Sequence, residues 1–394
     1  MAQTSEFREH LSALRAGALD ASPVVGLTHC HYKYPARFSP AYVSAVLETF
    51  SSPGDVVLDP YMGGGTTIVE AMAAGREAIG CDLNSLAVFV ARAKTQPIST
   101  RDAVEIRTWA STVIPGLNYR IKSDRIAEAI CADRARNMHL PSARPLKKFL
   151  ALALLSLEEL SSEEARLFAR CVLLNVSQWA LNGKKTSVSL ASFRERVTQC
   201  AQEMLKASIS FQAAVEEQHG GRYLPRLIHD SAANLQFHSP FKSGRKADLV
   251  VTSPPYPGVH MLYHRWQVDG RRETPAPYWI ADCLDGKGEA FYTFGSRKDP
   301  DSEQYFSQSL ATLRAIRSVM KKGAVMAQMI AFSRPETQLK RYLRNMDEAG
   351  FEELRRPTGR AIRSWRSVPG RSWHANLKGH THSAREVALL HRAV

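Results

Sequence analysis

Apolar residues fall into two patterns that alternate along the chain. Short apolar runs that end in an acid or a polar turn mark strands: PGDVVLD over 53–59, EAIGCDLN with its acid at Asp82, Leu227–His229 before Asp230, and Leu249–Val251 within ADLVVTSPPY. Runs that stay apolar without alternating suit strands buried on both faces of a parallel sheet. Between the first two runs, PYMGGGTT supplies a glycine turn, and a helix from Thr66 to Ala74 stops at Gly75. Val56 to Asp82 is therefore predicted to be a compact β-α-β unit. A helix over about Ser302–Met320, a strand at AVMAQMIAF, a helix over Gln338–Ala349, and strands near Phe351 and at EVALLHR continue the alternation. The pattern predicts an α/β fold with a mainly parallel, doubly wound sheet and room for an antiparallel strand at its C-terminal end.

Between about 100 and 215 the period becomes helical. Leu146, Phe149, Leu150, Leu154 and Leu157 share one helical face. Ser161 with Glu164 reads as a capping box before EARLFARCVLLNVSQWAL, which ends at Asn182-Gly183. That second helix is apolar nearly all round, which places it at the centre of a small bundle of its own. The block reads as an inserted helical domain, dividing the chain into 1–99, 100–220 and 221–394. Residues 257–300, rich in Gly, Pro and aromatics, read as a long loop region.

The chain has 394 residues, room for roughly two domains with proper cores, and its 44% hydrophobic content excludes wholesale disorder. Six cysteines, at 30, 81, 131, 171, 200 and 283, form no CxxC pair, which argues against a disulfide framework or a zinc ribbon and for reduced thiols. The longest apolar run, Phe149–Leu155, is far short of the ~20 residues that span a bilayer. MAQTSEFREH lacks an apolar signal core. A soluble, cytoplasmic protein with no membrane partner is expected. His29-Cys30-His31 has no partnering cluster, so it reads as structural or cofactor-adjacent, and no metal is expected.

Charge changes the picture more. Of the net +14, residues 1–100 carry −2, 101–240 carry +5 and 241–394 carry +11. Arg355–Lys378 holds seven basic residues, no acid and two tryptophans. Solvated faces usually mix signs, so this run points to a polyanion, nucleic acid before anionic membrane.

Two motifs carry candidate chemistry. In Asp59-Pro60-Tyr61-Met62-Gly63-Gly64-Gly65-Thr66-Thr67, glycines let the backbone turn sharply and approach a ligand, and the helix that follows presents unpaired N–H groups. No Gly-Lys-Ser/Thr follows, and the spacing is not G-x-G-x-x-G. Asp82 stands where doubly wound folds place a carboxylate for ribose hydroxyls. In Thr252-Ser253-Pro254-Pro255-Tyr256, two prolines stiffen the backbone and leave carbonyls as acceptors, beside a hydroxyl and an aromatic ring. Such a cup suits a flat heterocycle bearing an exocyclic amine. Taken singly, a surface acid explains Asp82 about as well, and a proline-stiffened turn explains TSPPY better.

Taken together, DPYMGGGTT, Asp82, TSPPY and the upstream HYKYPARFSP (His31–Pro40) resemble the DNA amino-methyltransferases over residues 28–98 and 225–394. The resemblance implies a Rossmann-like methyltransferase fold that uses S-adenosyl-L-methionine. It assigns cofactor binding to Lys33, Tyr34, Pro35, Ala36, Arg37, Phe38, Asp59, Pro60, Tyr61, Gly63, Gly65, Thr66, Thr67, Asp82, Asp230 and Thr252, with Tyr61 standing where the family usually has Phe. It makes Ser253, Pro254, Pro255 and Tyr256 catalytic. Ser253 and the Pro254 carbonyl would accept hydrogen bonds from the target amine, and Tyr256 would stack on a base flipped out of the duplex. The serine form of the motif tends to accompany cytosine N4, with adenine N6 as the rival and an RNA substrate or a non-catalytic DNA-binding subunit further behind. No Pro-Cys pair is present for cytosine C5 methylation, and the zinc deaminase pattern is missing. Double-stranded DNA is the expected partner. Arg265, Arg271 and Arg272, together with Arg360, Arg363, Arg366 and Arg371, are the expected phosphate contacts. Whether the helical block reads DNA or dimerises stays open, as do a cognate restriction endonuclease and a monomeric or homodimeric state.

Overall fold

A computed structural model describes residues 2–34, 39–120, 124–130, 135–138, 140, 142–184, 188–257, 266–268, 272–286, 294, 301–367 and 385–394. In chain order, α1 (Ala2–Leu19) and α2 (Pro40–Phe50) precede β1 (Val56–Asp59), α3 (Thr66–Ala73), β2 (Glu77–Asp82) and α4 (Ser85–Thr95). The helical stretch holds α5 (Thr100–Thr108), α6 (Ile114–Gly116), α7 (Asp124–Ala129), α8 (Arg144–Leu155), α9 (Glu163–Leu181) and α10 (Leu190–His219). Then come β3 (Arg226–His229), β4 (Ala247–Thr252), β5 (Trp266–Val268), β6 (Arg272–Thr274), α11 (Ala276–Ala281) and α12 (Glu303–Ser318). The chain closes with β7 (Met320–Phe332), α13 (Pro335–Glu348), β8 (Phe351–Glu353), β9 (Arg363–Ser367) and β10 (Arg385–Ala393).

Among the described residues the main sheet runs β3-β2-β1-β4-β7-β10-β8, with β9 also on β10. β3, β2, β1, β4 and β7 are mutually parallel, and β10 is antiparallel to β7. This is the α/β architecture that the alternation implied, and it is Rossmann-like as the resemblance implied. Successive side chains go to opposite faces. Leu58, Val250, Met326 and Leu389 pack with Ile316 of α12 and Tyr342 of α13, whereas Val57, Leu249, Ala327 and Leu390 pack with Val46 of α2 and Ile68 of α3. Both faces are covered, which is why the strand sequences are apolar without alternation.

Several sequence expectations change. The helical stretch is not a bundle of its own: Phe149, Val172 and Phe193 share one core with Leu86 and Val90 of α4, with Tyr32 and Tyr34, and with Trp266 and Tyr278. Phe211 and Val215 of α10 reach the core under the sheet. The cap of α9 is Ser162, whose hydroxyl oxygen accepts the Ala165 N–H at 2.9 Å. Ser161 is taken instead by Glu105, with its N–H and hydroxyl 3.0 and 2.8 Å from that carboxylate. The expected loop 257–300 contains the β5–β6 ribbon and the buried helix α11. β9 lies inside the basic segment, paired antiparallel with β10.

Candidate active site

β1 and β4 are neighbours although β2 and β3 lie between them in sequence, so the chain reverses its direction of winding here. Such a switch point opens a crevice at the C-terminal ends of the strands. Asp59 ends β1 and Thr252 ends β4, and the Thr252 hydroxyl donates to Asp59 Oδ1 at 2.7 Å. The Tyr61 N–H adds a bond of 3.1 Å to the same oxygen. Burial pushes the Asp59 carboxyl up to about 7 against the hydrogen bonds from Thr252, Thr67 and Tyr61. The two motifs found separately in the sequence are thus one hydrogen-bonded unit.

The glycine turn follows. Gly63 and Gly65 take φ of 48° and 73°, a region that favours glycine. A Cβ on Gly64 would lie 2.6 Å from Cβ of Tyr34, so Tyr34 is packed directly on the turn. Asp82 accepts the Gly63 and Asn84 N–H groups, each at 2.8 Å. Burial raises its carboxyl to about 6, opposed by those two bonds. The Tyr34 hydroxyl accepts from Asn84 Nδ2 at 3.0 Å, and Asn84 Oδ1 accepts from the Tyr278 hydroxyl at 2.9 Å. Buried Lys94 donates to the Gly64 carbonyl at 2.5 Å.

This cradle fits S-adenosyl-L-methionine. Among the described residues the buried Thr66 Oγ1, in the first turn of α3, has no hydrogen-bond partner. A polar atom left over beside a side-chain-free turn and a half-exposed strand-end carboxylate is what a polar nucleoside cofactor would complete.

The upstream segment is held by the helical stretch. Asn175 Nδ2 donates to the carbonyls of Cys30 and His31 at 2.9 and 3.0 Å, and Gln178 Nε2 donates to that of Lys33 at 3.0 Å. His31 Nε2 meets Ser208 Oγ at 3.0 Å, and burial drives the imidazole down to about 3, leaving it neutral. His29 pairs with Glu70 at 2.7 Å. The Lys33 side chain is exposed, and Pro35, Ala36, Arg37 and Phe38 lie outside the described residues. Pro60 is buried. The Tyr61 ring meets Phe294 edge-on at 6.2 Å, and burial raises its phenol well above the ordinary value. Asp230 accepts from the Ser231 N–H, Asn234 and His238 at 2.6, 3.1 and 2.7 Å. Burial works against its ionisation, but those bonds prevail and lower its pKa.

In the SPPY motif, Ser253 Oγ lies 2.9 Å from Tyr256 Oη and 3.0 Å from the Met329 carbonyl. The Tyr256 hydroxyl donates to Glu386 Oε1 at 3.0 Å, and the Pro255 carbonyl accepts from Tyr305 at 2.8 Å. Pro254 is buried and Pro255 half-buried.

The expected DNA contacts divide. Arg265, Arg271 and Arg371 lie outside the described residues, while Arg272 on β6 and Arg360 in the turn before β9 are exposed. Arg363 and Arg366 are half-buried in ion pairs. Arg363 binds both oxygens of Glu353 at 2.6 and 2.8 Å. Arg366 binds Glu386 at 2.7 Å and the Ala18 and Asp20 carbonyls at 3.2 and 3.1 Å. Both guanidiniums meet carboxylates of their own chain. Lys94, Asn84, Tyr278 and Glu386 escaped the sequence reading. The signal for Lys94 is its spacing from Leu86 and Val90, which puts a lysine on the buried face of α4. That for Glu386 is an acid in an apolar strand.

The family model described as DNA methylase matches residues 17–92. The type II methyltransferase M.MvaI of Kocuria varians is 25% identical over 253 residues, 58% of this chain and 53% of that protein. M.MjaII of Methanocaldococcus jannaschii is 36% identical over 70 residues, 17% of this chain and 13% of its own. The DNA adenine methyltransferase YhdJ of Escherichia coli K12 is 40% identical over 52 residues, 13% and 18% of the two chains. The match thus spans about half the length of M.MvaI and less of the others. Among the described residues no helix is long and apolar enough to cross a membrane. The glycine-turn motif lies inside the matched stretch and the SPPY motif is joined to it through the Thr252–Asp59 bond, and in these features the chain is similar to the S-adenosyl-L-methionine-dependent DNA amino-methyltransferases.

Proposed function

We propose that the chain is a site-specific DNA methyltransferase acting on the exocyclic N4 of cytosine in double-stranded DNA. The observation that carries this reading is the Ser253 hydroxyl, set at the end of β4 beside Tyr256 and tied through Thr252 to the cofactor turn. Bound S-adenosyl-L-methionine supplies a methyl group already activated on a sulfonium. The chain's own task is to position the amine. An exocyclic amino lone pair is delocalised into its ring. Ser253 Oγ and the Pro254 carbonyl, by accepting the two amino hydrogens, orient that lone pair toward the methyl carbon. Tyr256 packs against the flipped base, with the Tyr34–glycine turn holding the cofactor on the other side. Adenine N6 is the second reading, favoured by the 40% identical stretch in a protein named as a DNA adenine methyltransferase.

Exposed Arg272 and Arg360 supply phosphate contacts in this reading, and the helical block of 100–220 clamps substrate as well as the upstream segment. A cognate restriction endonuclease belongs to the proposal too. Incubating the full chain with methyl-labelled cofactor and matched DNA and RNA duplexes tests the substrate class. Label in DNA is expected, and label confined to RNA would overturn the reading.

A further inference from the structure

Glu386 is a buried acid, 4% exposed, near the start of β10 and next to Val387 of the core. It stands opposite Ala331 of β7, at the sheet edge that carries the catalytic motif. A buried carboxylate needs partners. Oε2 accepts from Arg366 Nε at 2.7 Å, and Oε1 accepts from the Tyr256 hydroxyl at 3.0 Å. Arg366 is itself fixed by two carbonyls at the end of α1.

The hydrogens along this path can be counted. Met329 O, Ser253 Oγ, Tyr256 Oη and Glu386 Oε1 form a row with spacings of 3.0, 2.9 and 3.0 Å. Within the row, hydrogens come from the serine and tyrosine hydroxyls, one each, so three close contacts share two hydrogens. The arginine-paired carboxylate is the strongest acceptor and takes the tyrosine proton. The serine proton then points to Met329 O or to Tyr256 Oη, and in neither case does Tyr256 donate to Ser253. The serine oxygen keeps its accepting capacity, which an incoming N–H donor can use.

We propose that Glu386, held by Arg366, is a positioning residue for methyl transfer. By taking the Tyr256 proton it keeps Ser253 Oγ an acceptor and matches the site to an amino group. The proposal rests on the amino-methyltransferase reading above. In Glu386→Gln, the amide oxygen turns to Arg366 and the NH₂ to Tyr256. Tyr256 then donates to Ser253 and takes one of the two lone pairs with which that oxygen could accept from the amine.

The test is single-turnover methyl transfer by the full chain from labelled S-adenosyl-L-methionine to duplex DNA, with cofactor affinity measured by calorimetry. Glu386→Gln is expected to bind cofactor within about twofold of wild type yet to transfer methyl about tenfold more slowly or worse. Adding Tyr256→Phe removes the misdirected proton, so the double variant should be no slower than Tyr256→Phe alone. A wild-type rate for Glu386→Gln, or losses that multiply in the double variant, would overturn the proposal. If Glu386→Gln loses cofactor binding, Glu386→Asp decides: it keeps the charge for Arg366, withdraws from Tyr256, and should show the same loss of rate. A wild-type rate for Glu386→Asp overturns the proposal. No label in DNA from the wild-type chain would remove the underlying reading and the proposal with it, an outcome distinct from variants that match an active wild type.

Discussion

The Thr252 hydroxyl donates to the Asp59 carboxylate across 2.7 Å, joining the last residues of two parallel strands 193 positions apart in sequence. One side of that bond leads into the glycine turn and the other into the SPPY motif. Together with the pairing of β1 and β4 and the buried bond from Thr67 to the Val251 carbonyl, it sets the glycine turn and the SPPY motif relative to one another.

Asp59 makes stability depend on pH in a defined direction. Burial raises its folded pKa from 3.8 to about 7, so its contribution to folding is full below pH 3.8 and is lost as pH rises through about 7. Asp59→Asn has no such group. Urea unfolding should show wild type losing stability relative to the variant across that window, by up to about 4 kcal/mol. Parallel pH profiles would contradict it.

Lys94 should act on the cofactor and not on the amine. Lys94→Met keeps the length and apolar packing but leaves the buried Gly64 carbonyl without its donor, a loss of about 1–3 kcal/mol. Calorimetry should find cofactor affinity weakened roughly tenfold or more, with less effect on the rate at saturating cofactor. Unchanged affinity would return Lys94 to a role in folding alone.

Much of this site could be read from the sequence because local rules fix it. DPYMGGGTT is a strand-turn-helix by composition alone, and TSPPY ends its strand at its own prolines. What stayed hidden depends on distant pairings. Lys94 and Gly64 meet only once α4 folds back over the turn. Arg363 and Arg366 look like free charge until β9 and β10 pair and bring Glu353 and Glu386 beside them. The Ser161 cap failed by one residue because Glu105, in another helix, took that serine. α1 and α2 were missed altogether, and their burial against the sheet is also a tertiary effect.

The basic segment therefore divides into two experiments. Arg355, Arg356 and Arg360 are exposed around a turn, and neutralising all three should make log affinity for DNA fall less steeply with log salt, by up to about 3 in slope. Arg363→Gln should leave the slope alone and lower the melting temperature instead, because Glu353, its side chain 10% exposed, loses its partner. Equal slopes for wild type and the triple variant would remove the turn from the DNA interface.

Ser253→Ala removes the acceptor assigned to the amine and leaves the cradle intact. Turnover should fall about 10- to 100-fold, with cofactor affinity little changed. A matching loss in both would mean that Ser253 supports the cradle.

The central claim is tested most directly by digesting DNA methylated by the full chain and quantifying modified nucleosides by mass spectrometry. The account predicts 4-methylcytosine, strongly reduced with Ser253→Ala. 6-Methyladenine as the product, or no methylated nucleoside at all, would contradict it.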